Sequence, residues 1–116
     1  MQKLSHRKMG FTYEEKAAKY LEEKGYRILE RNFYSRFGEI DLIARDGKYL
    51  VFIEVKYRAS VRGGHPLEVV DSRKQNRIRK SAYFYLMRYG FLENTACRFD
   101  VIGILGEEIT HIENAF

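Results

Sequence analysis

The sequence predicts one α/β domain in which helices pack against a mixed sheet of about five strands. The first observation behind this prediction is size, because 116 residues suit a single compact domain. The second is composition, since a hydrophobic fraction of 45% and a charged fraction of 32% are typical of a folded, soluble chain. The third is order: segments with helical or strand periodicity follow one another as helix, three strands, helix and two strands.

The first helix is predicted to begin at Thr12, after a loose, basic N-terminal arm at residues 1–10. Thr12 and Glu15 have the spacing of a capping box, in which the hydroxyl and the carboxylate each accept a backbone amide of the first turn. Gly25 is a typical C-terminal stop. The apolar stripe between these ends consists of Ala17, Ala18, Tyr20 and Leu21.

Three strands are predicted to follow as a meander. Residues 26–34 carry aromatic and β-branched side chains in partial alternation, and residues 38–58 contain two apolar runs joined by Asp46-Gly47. An Asp-Gly pair favours a two-residue type I′ turn, because that turn needs positive φ at both central positions. Residues 38–58 are therefore interpreted as a tight hairpin.

This hairpin register places charges on one face of two apolar strands. It sets Glu39 opposite Glu54. Asp41, opposite Phe52, then becomes a diagonal neighbour of Glu54, roughly 7–8 Å away at the backbone. Lys56, two residues beyond Glu54, shares the same face. Two carboxylates so placed repel each other unless a cation joins them, and Mg²⁺ prefers oxygen ligands.

These charges predict a Mg²⁺ site that acts on a phosphodiester. Asp41 and Glu54 are the predicted metal ligands, and Lys56 is predicted to assist the attacking water or stabilise developing negative charge. Glu14 heads the apolar stripe of the first helix, so it should face the sheet and support the metal. Glu39 is a secondary candidate that could act on the pKa of its neighbours.

Each of these features has a simpler explanation when taken alone. Glu54 and Lys56 would more often form a surface ion pair. Glu14 would more often be a first-turn carboxylate stabilised by the helix dipole. A run of basic residues is more often a solvated helix face than a nucleic-acid groove. Only the combination favours a functional site.

A second helix is predicted after a loop marked by Gly63-Gly64 and Pro66. Asp71-Ser72 can cap its start and Gly90 can end it. Its predicted stripe consists of Ile78, Ala82, Tyr85, Leu86 and Tyr89. Two strands, at residues 97–105 and 109–112, then close the chain around a Gly106-Glu107 turn.

The charge distribution favours a polyanionic partner. The net charge is +5, and residues 72–92 contain six basic side chains and no acidic one. Lys and Arg that neutralise phosphates release counterions, so this helix suits nucleic acid. The predicted backbone contacts are Arg58, Arg73, Lys74, Arg77 and Lys80.

The sequence also limits the location of the protein. It has no apolar run long enough for a membrane span, and residues 1–10 lack the apolar centre of a secretory signal, which predicts a cytoplasmic protein without a membrane partner. Cys97 is the single cysteine and is interpreted as a small core residue. A homodimer is compatible with the sequence, which indicates no interface.

Several segments, in this order, carry a family resemblance over nearly the whole chain. They are AAKYLEEKGYRILERNF behind Glu14, GEIDLIARDGKYLVFIEVKYR, PLEVV, KQNRIRKSAYFYL, CRFDVIGI and the closing IENAF. Together they resemble the small bacterial YraN family and, more distantly, the archaeal Holliday junction resolvases of the PD-(D/E)xK nuclease superfamily. This resemblance implies a restriction-endonuclease-like three-layer α-β-α sandwich.

The resemblance also implies roles for individual residues. Asp41 matches the first acidic position of the nuclease motif, and Glu54 and Lys56 match its ExK. Glu14 matches the glutamate of the first helix. In active relatives these positions bind Mg²⁺ or Mn²⁺, with the backbone carbonyl of the residue at Val55 as a further ligand.

Three other positions bear on this match. Gln75 lies where some members of the superfamily carry a further polar residue of the active site. Ile40 stands where the motif has proline, which leaves the acidic position intact. Tyr13 replaces a glycine that often precedes the glutamate of the first helix, which bears on how closely a substrate approaches Glu14.

Two functions are carried forward from the sequence. The first is a divalent-metal-dependent nuclease that hydrolyses DNA, with branched or otherwise structured DNA, as in recombination or repair, as its substrate. The alternative is a non-catalytic nucleic-acid-binding or complex-building module that keeps the nuclease fold and uses the basic helix. In the alternative, Glu54 and Lys56 are mainly structural.

Overall fold

The computed structural model describes the backbone of residues 2–58, 70–92 and 94–116, and the side chains of these ranges from residue 13 onward. The elements follow the predicted order of helix, three strands, helix and two strands. They are α1 (Gln2–Glu23), β1 (Arg27–Ser35), β2 (Gly38–Asp46), β3 (Tyr49–Arg58), α2 (Ser72–Arg88), β4 (Cys97–Leu105) and β5 (Glu108–Ile112).

The five strands form one mixed sheet with the order β1-β2-β3-β4-β5. The first three strands are an antiparallel meander, as predicted. β3 and β4 are parallel, so the chain crosses over through α2 between them, and β5 returns antiparallel to β4. The result is a compact α/β fold built from a mixed five-stranded sheet and two helices.

The two helices pack against opposite faces of the sheet. Ala17, Ala18 and Leu21 of α1 are buried in one core cluster with strand residues such as Leu42 and Ile53. The other cluster joins α2 to the alternate strand residues, and its members include Ile43, Phe52, Ile78, Ala82 and Tyr85. Strand side chains alternate between faces, so each face receives its own core. Tyr89, predicted for the α2 stripe, is instead 50% exposed at the end of the helix.

The predicted start of the first helix is wrong. α1 begins at Gln2, so residues 2–10, which were predicted to form a loose arm, belong to the helix and Thr12 does not cap it. The segment contains no proline, and a single interior glycine such as Gly10 costs a helix only about 1 kcal/mol relative to alanine. The predicted C-terminal stop is confirmed, since Gly25 has a φ of +93°.

The predicted register of the β2–β3 hairpin is also wrong. Asp46 pairs with Tyr49, so the two turn residues are Gly47 and Lys48. Gly47 has a φ of +57° whereas Lys48 is not among the residues with positive φ, and this pattern is typical of a type II′ turn, which needs glycine only at its first central position. The pairing therefore shifts by two residues, and Asp41 approaches Glu54 in place of Phe52.

The remaining boundaries agree with the sequence. The Asp71 carboxylate accepts the amide of Lys74 at 2.9 Å and caps α2. Leu105 pairs with Glu108, so Gly106 and Glu107 form the predicted turn. The predicted loop around Gly63-Gly64 and Pro66, and most of the PLEVV segment, lie outside the described residues. No helix in the described ranges is long and apolar enough to cross a membrane.

Candidate functional site

The site forms where β2 and β3 separate. Ile40 and Leu42 are two residues apart, yet they pack into opposite core clusters, so β2 changes face at Asp41. The ladder between the two strands ends at the pair Leu42 and Ile53. Beyond it, an Asp41 carboxylate oxygen accepts the backbone N–H of Val55 at 2.7 Å. The Asp41 carboxylate thus takes the place of the backbone carbonyl that would otherwise accept this N–H, and it bridges the gap between the two strands.

Three carboxylates from two elements converge at this opening. One oxygen each from Glu14 of α1 and from Glu39 and Asp41 of β2 lie within 4.8 Å of one another. Glu54 of β3 is close enough to raise the pKa of all three carboxyl groups by repulsion. The change of face at Asp41 explains the convergence. It lets Glu39 and Asp41, which belong to the same strand, both approach Glu14 of α1.

Burial and the repulsion between like charges raise the pKa values of the three carboxyl groups. Burial, followed by the charge of Glu54, raises the pKa of Asp41 from 3.8 to about 8, against the opposing hydrogen bond from Val55. Burial also raises the pKa of Glu14, and burial followed by Glu54 raises that of Glu39. A nearby cation would reverse these shifts, because it favours the ionised form of each group.

Glu54 forms an ion pair that the sequence did not predict, and its role as a metal ligand stays a prediction. Its carboxylate is buried at 8% exposure and forms an ion pair with the Lys74 ammonium of α2 at 2.6 Å. Glu54 is not one of the three converging carboxylates, although its charge raises the pKa of each of them. Lys56 lies two residues further along β3, which places it on the same side of the strand as Glu54.

The opening widens into a groove of about 510 Å³ between the β1–β2 turn, the start of β2 and the first turns of α2. Acidic and basic side chains line it together. The lining residues are Ser35, Arg36, Phe37, Gly38, Glu39, Asp41, Glu54, Lys74 and Arg77. A groove lined by both carboxylates and cations can hold a metal ion and the phosphate that the ion would contact.

The predicted nucleic-acid contacts are distributed unevenly around this groove. Lys74 and Arg77 line it. Arg73 and Lys80 are exposed on α2. Arg58 lies at the end of β3, where its guanidinium donates to the carbonyl of Tyr57 at 2.8 Å.

Gln75 has local partners on α2. Its amide nitrogen donates to the carbonyl of Val70 at 2.8 Å, and its amide oxygen accepts from Arg79 at 3.4 Å. Gln75 is not among the residues that line the groove. A polar role for it in the site stays a prediction.

Sequence reasoning missed one residue beside the carboxylates and underrated another. Asn32 of β1 has a φ of +52°, and its side chain forms a hydrogen bond to Glu14 that lowers the pKa of that group. Asparagine is enriched at positive φ among residues with a side chain. An asparagine inside a predicted strand was therefore the sequence signal for an irregular backbone at this position. Glu39, predicted as a secondary candidate, is one of the three converging carboxylates.

Comparison with known proteins gives a consistent family. The profile described as "Uncharacterised protein family UPF0102" matches residues 13–104. A UPF0102 protein of Lachnoclostridium phytofermentans is 52% identical over 107 residues, which cover 92% of this chain and 91% of that protein. A UPF0102 protein of Persephonella marina is 48% identical over 103 residues, covering 89% and 88%. The chain therefore belongs to the UPF0102 family, whose YraN-like members its sequence motifs resemble.

Proposed function

We propose that this protein is a divalent-metal-dependent nuclease that hydrolyses phosphodiester bonds in DNA. The observation that carries the proposal is the convergence of Glu14, Glu39 and Asp41 within 4.8 Å, beside a groove that Glu39 and Asp41 line together with Lys74 and Arg77. Carboxylates this close repel one another, so the arrangement weakens the fold unless a cation is bound.

The donor set suits Mg²⁺ or Mn²⁺. Both are hard cations that prefer carboxylate oxygens, and Mg²⁺ binds them at about 2.0–2.1 Å, so two ligands of one ion lie at most about 4.2 Å apart. The oxygens of Glu14, Glu39 and Asp41 all lie within 4.8 Å of one another, so a small rotation of a side chain is enough to bring them within this limit. These three carboxylates would hold the ion, with the carbonyl of Val55 as a further candidate ligand.

Bound there, the ion would supply Lewis-acid polarisation of the phosphodiester and a source of nucleophilic water. The chain's own residues then have separable tasks. Glu54 keeps the site negative, and its ion pair with Lys74 balances that charge before substrate binds. Lys56, beside Glu54 on β3, is placed to orient the attacking water or stabilise charge on the phosphate.

The substrate assignment rests on the basic helix and on the family resemblance. Arg73, Arg77 and Lys80 follow α2 alongside the groove without a competing acidic side chain in the helix. Such a row positions a phosphate backbone without reading its sequence. The superfamily resemblance extends the proposal to a restriction-endonuclease-like sandwich that acts on branched or structured DNA. Support for this fold is the packing of α1 and α2 on opposite faces of the sheet.

Calorimetric titration with Mn²⁺ tests the metal site without a substrate. We expect saturable binding by the wild-type protein and its loss in Asp41→Asn and Glu39→Gln. Glu15→Gln is the matched control, because Glu15 lies next to Glu14 in sequence but pairs with Arg31 at 3.1 Å. Equal binding by wild type and Asp41→Asn would overturn the ligand assignment.

Cleavage then tests the reaction itself. Labelled duplex, flapped, branched and single-stranded DNA are incubated with Mg²⁺ or Mn²⁺, and we expect cleavage by the wild type that Glu54→Ala abolishes. The alternative function, a nucleic-acid-binding module without catalysis, is favoured by the Glu54–Lys74 ion pair, which makes structural use of a predicted catalytic residue. DNA binding without metal dependence and without cleavage of any of these substrates would select it.

A further inference from the structure

The β1–β2 turn carries an aromatic side chain that the fold does not use as core. Phe37 is the second of the two turn residues between Ser35 and Gly38. It is half-buried, and it belongs to neither hydrophobic cluster of the described residues. Instead it lines the groove that contains Glu39 and Asp41. Turns usually select small or polar residues, so a phenylalanine here calls for another explanation.

This turn is held rigidly against α2. The Ser35 hydroxyl accepts the backbone N–H of Phe37 at 3.1 Å and lies 2.9 Å from the hydroxyl of Ser81, which is fully buried. Gly38 follows with a φ of +143°, and a Cβ at this position would be 3.9 Å from Cβ of Arg77. A ring on a fixed turn loses little entropy when it binds a ligand.

Cations surround the ring. The guanidinium of Arg36 lies over Phe37 at 4.9 Å from the ring centre, and the ammonium of Lys80 lies at 5.9 Å. Both residues are exposed. Because both cationic side chains are long and exposed, they can move off the ring to let a base stack on it and can then bind the phosphates beside that base.

We propose that the Arg36-Phe37 turn contacts an unstacked base, with Phe37 stacking on the base and Arg36 and Lys80 binding the phosphates that flank it. The proposal rests on the proposed nuclease function and narrows its substrate class. Bases inside a regular duplex have no free face for Phe37, so the favoured substrate has an unpaired base next to the phosphate in the groove.

The test measures binding without cleavage. A single strand of about 12 nucleotides that contains one 2-aminopurine, and a blunt duplex of the same sequence, are titrated in EDTA and followed by fluorescence and anisotropy. Phe37→Leu removes the π face while keeping an apolar side chain. Tyr34→Leu is the matched control, because Tyr34 is an aromatic residue of the same hairpin that is 68% exposed and does not line the groove.

We expect Phe37→Leu to bind the single strand roughly tenfold more weakly and to lose most of the 2-aminopurine signal. Its salt dependence should not change, because no phosphate contact is removed. Arg36→Gln and Lys80→Gln should each reduce the slope of log K against log salt by about 0.7. Duplex binding should be the same for Phe37→Leu and the wild type.

Two results would overturn the proposal. One is wild-type affinity of Phe37→Leu for the single strand, and the other is an equal loss of affinity for strand and duplex, which would assign the turn to phosphate binding alone. A failure of the nuclease proposal is distinguishable, because it appears as a lack of cleavage while the 2-aminopurine signal remains. Asp41→Asn should likewise keep this signal.

Discussion

Two aspartates of the same sheet, the fully buried Asp100 and the half-buried Asp41, have opposite surroundings. Asp100 of β4 is 0% exposed, and its carboxylate accepts hydrogen bonds from Arg98 at 2.9 Å and from the Asn114 amide at 3.0 Å, with a His111 nitrogen at 2.7 Å. Burial alone would raise its pKa, but His111, Arg98 and the Asn114 amide outweigh burial and lower it. Asp41 of β2 accepts the Val55 amide, and burial and the carboxylates around it raise its pKa to about 8.

The difference separates a structural charge from a candidate functional one. Around Asp100, a cation and hydrogen-bond donors satisfy a buried carboxylate, so its charge stabilises the fold. Around Asp41, further carboxylates take the place of such a cation, and the groove leaves room for a metal ion. Perturbed carboxyl groups in a cleft are typical of functional sites.

The largest expected effect on the free energy of unfolding comes from removing the Asp100 charge. Asp100→Asn leaves the guanidinium of Arg98, which is 10% exposed, without its main counter-charge. We expect a loss of about 3–5 kcal/mol in the free energy of unfolding, as for other buried pairs broken on one side. Urea denaturation at pH 8 in EDTA measures it. A loss below about 1 kcal/mol would mean that this network behaves like a surface pair.

The same substitution at Asp41 should increase the free energy of unfolding instead of lowering it. Asp41→Asn keeps an oxygen for the Val55 amide and removes a charge that Glu54 repels. We expect the metal-free protein to gain on the order of 1–3 kcal/mol at pH 8, since one unit of pKa shift corresponds to about 1.4 kcal/mol. The same denaturation experiment measures it. Destabilisation by Asp41→Asn would show that the Asp41 charge is structural, like that of Asp100.

The two aspartates also give opposite pH dependences. The pKa of Asp41 is raised from 3.8 to about 8, so the folded state holds a proton that the unfolded state releases, and stability falls as the pH rises through this window. The lowered pKa of Asp100 adds stability above its unfolded value, and that contribution is lost only in stronger acid.

Thermal unfolding in EDTA between pH 5 and 8 checks this sign. We expect wild-type stability to decline with rising pH, and Asp41→Asn to show a flatter profile. Millimolar Mg²⁺ should restore stability near pH 8, because it binds only the ionised carboxylates. A wild-type profile that is flat in EDTA would contradict the shift assigned to Asp41.

The sequence predicted the elements better than their register. Apolar runs bounded by turn residues were sufficient for the five strands, and helical periodicity was sufficient for α2. Neither signal could distinguish Asp46-Gly47 from Gly47-Lys48 as the turn, since both place a glycine at a position of positive φ. A shift of two residues keeps the same side chains on each face, so the hydrophobic pattern does not reveal it.

The site was predicted in outline and missed in detail for a related reason. The segments around Asp41 and Asp100 both place one aspartate inside an apolar run, so local sequence alone does not distinguish the candidate ligand from the structural carboxylate. The change of face in β2 at Asp41 is a tertiary feature, and it brings Glu39 into the cluster. The Glu54–Lys74 pair depends on how α2 lies across the sheet, which periodicity does not give.

The smallest expected effect on stability comes from removing a cation, the Lys74 ammonium, instead of a carboxylate. The Lys74 ammonium pairs with Glu54, much as the Arg98 guanidinium pairs with Asp100. The Lys74 side chain is 41% exposed but that of Glu54 is only 9% exposed, so we expect Lys74→Met to cost the metal-free protein about 1–2 kcal/mol, between a surface pair and a buried one. Mn²⁺ should bind this variant more tightly, since a competing positive charge has left the groove. Calorimetry compares it with Lys80→Met, which removes a charge of α2 outside the Glu54 pair. Weaker Mn²⁺ binding by Lys74→Met alone would show that Lys74 organises the carboxylates instead of competing with the ion.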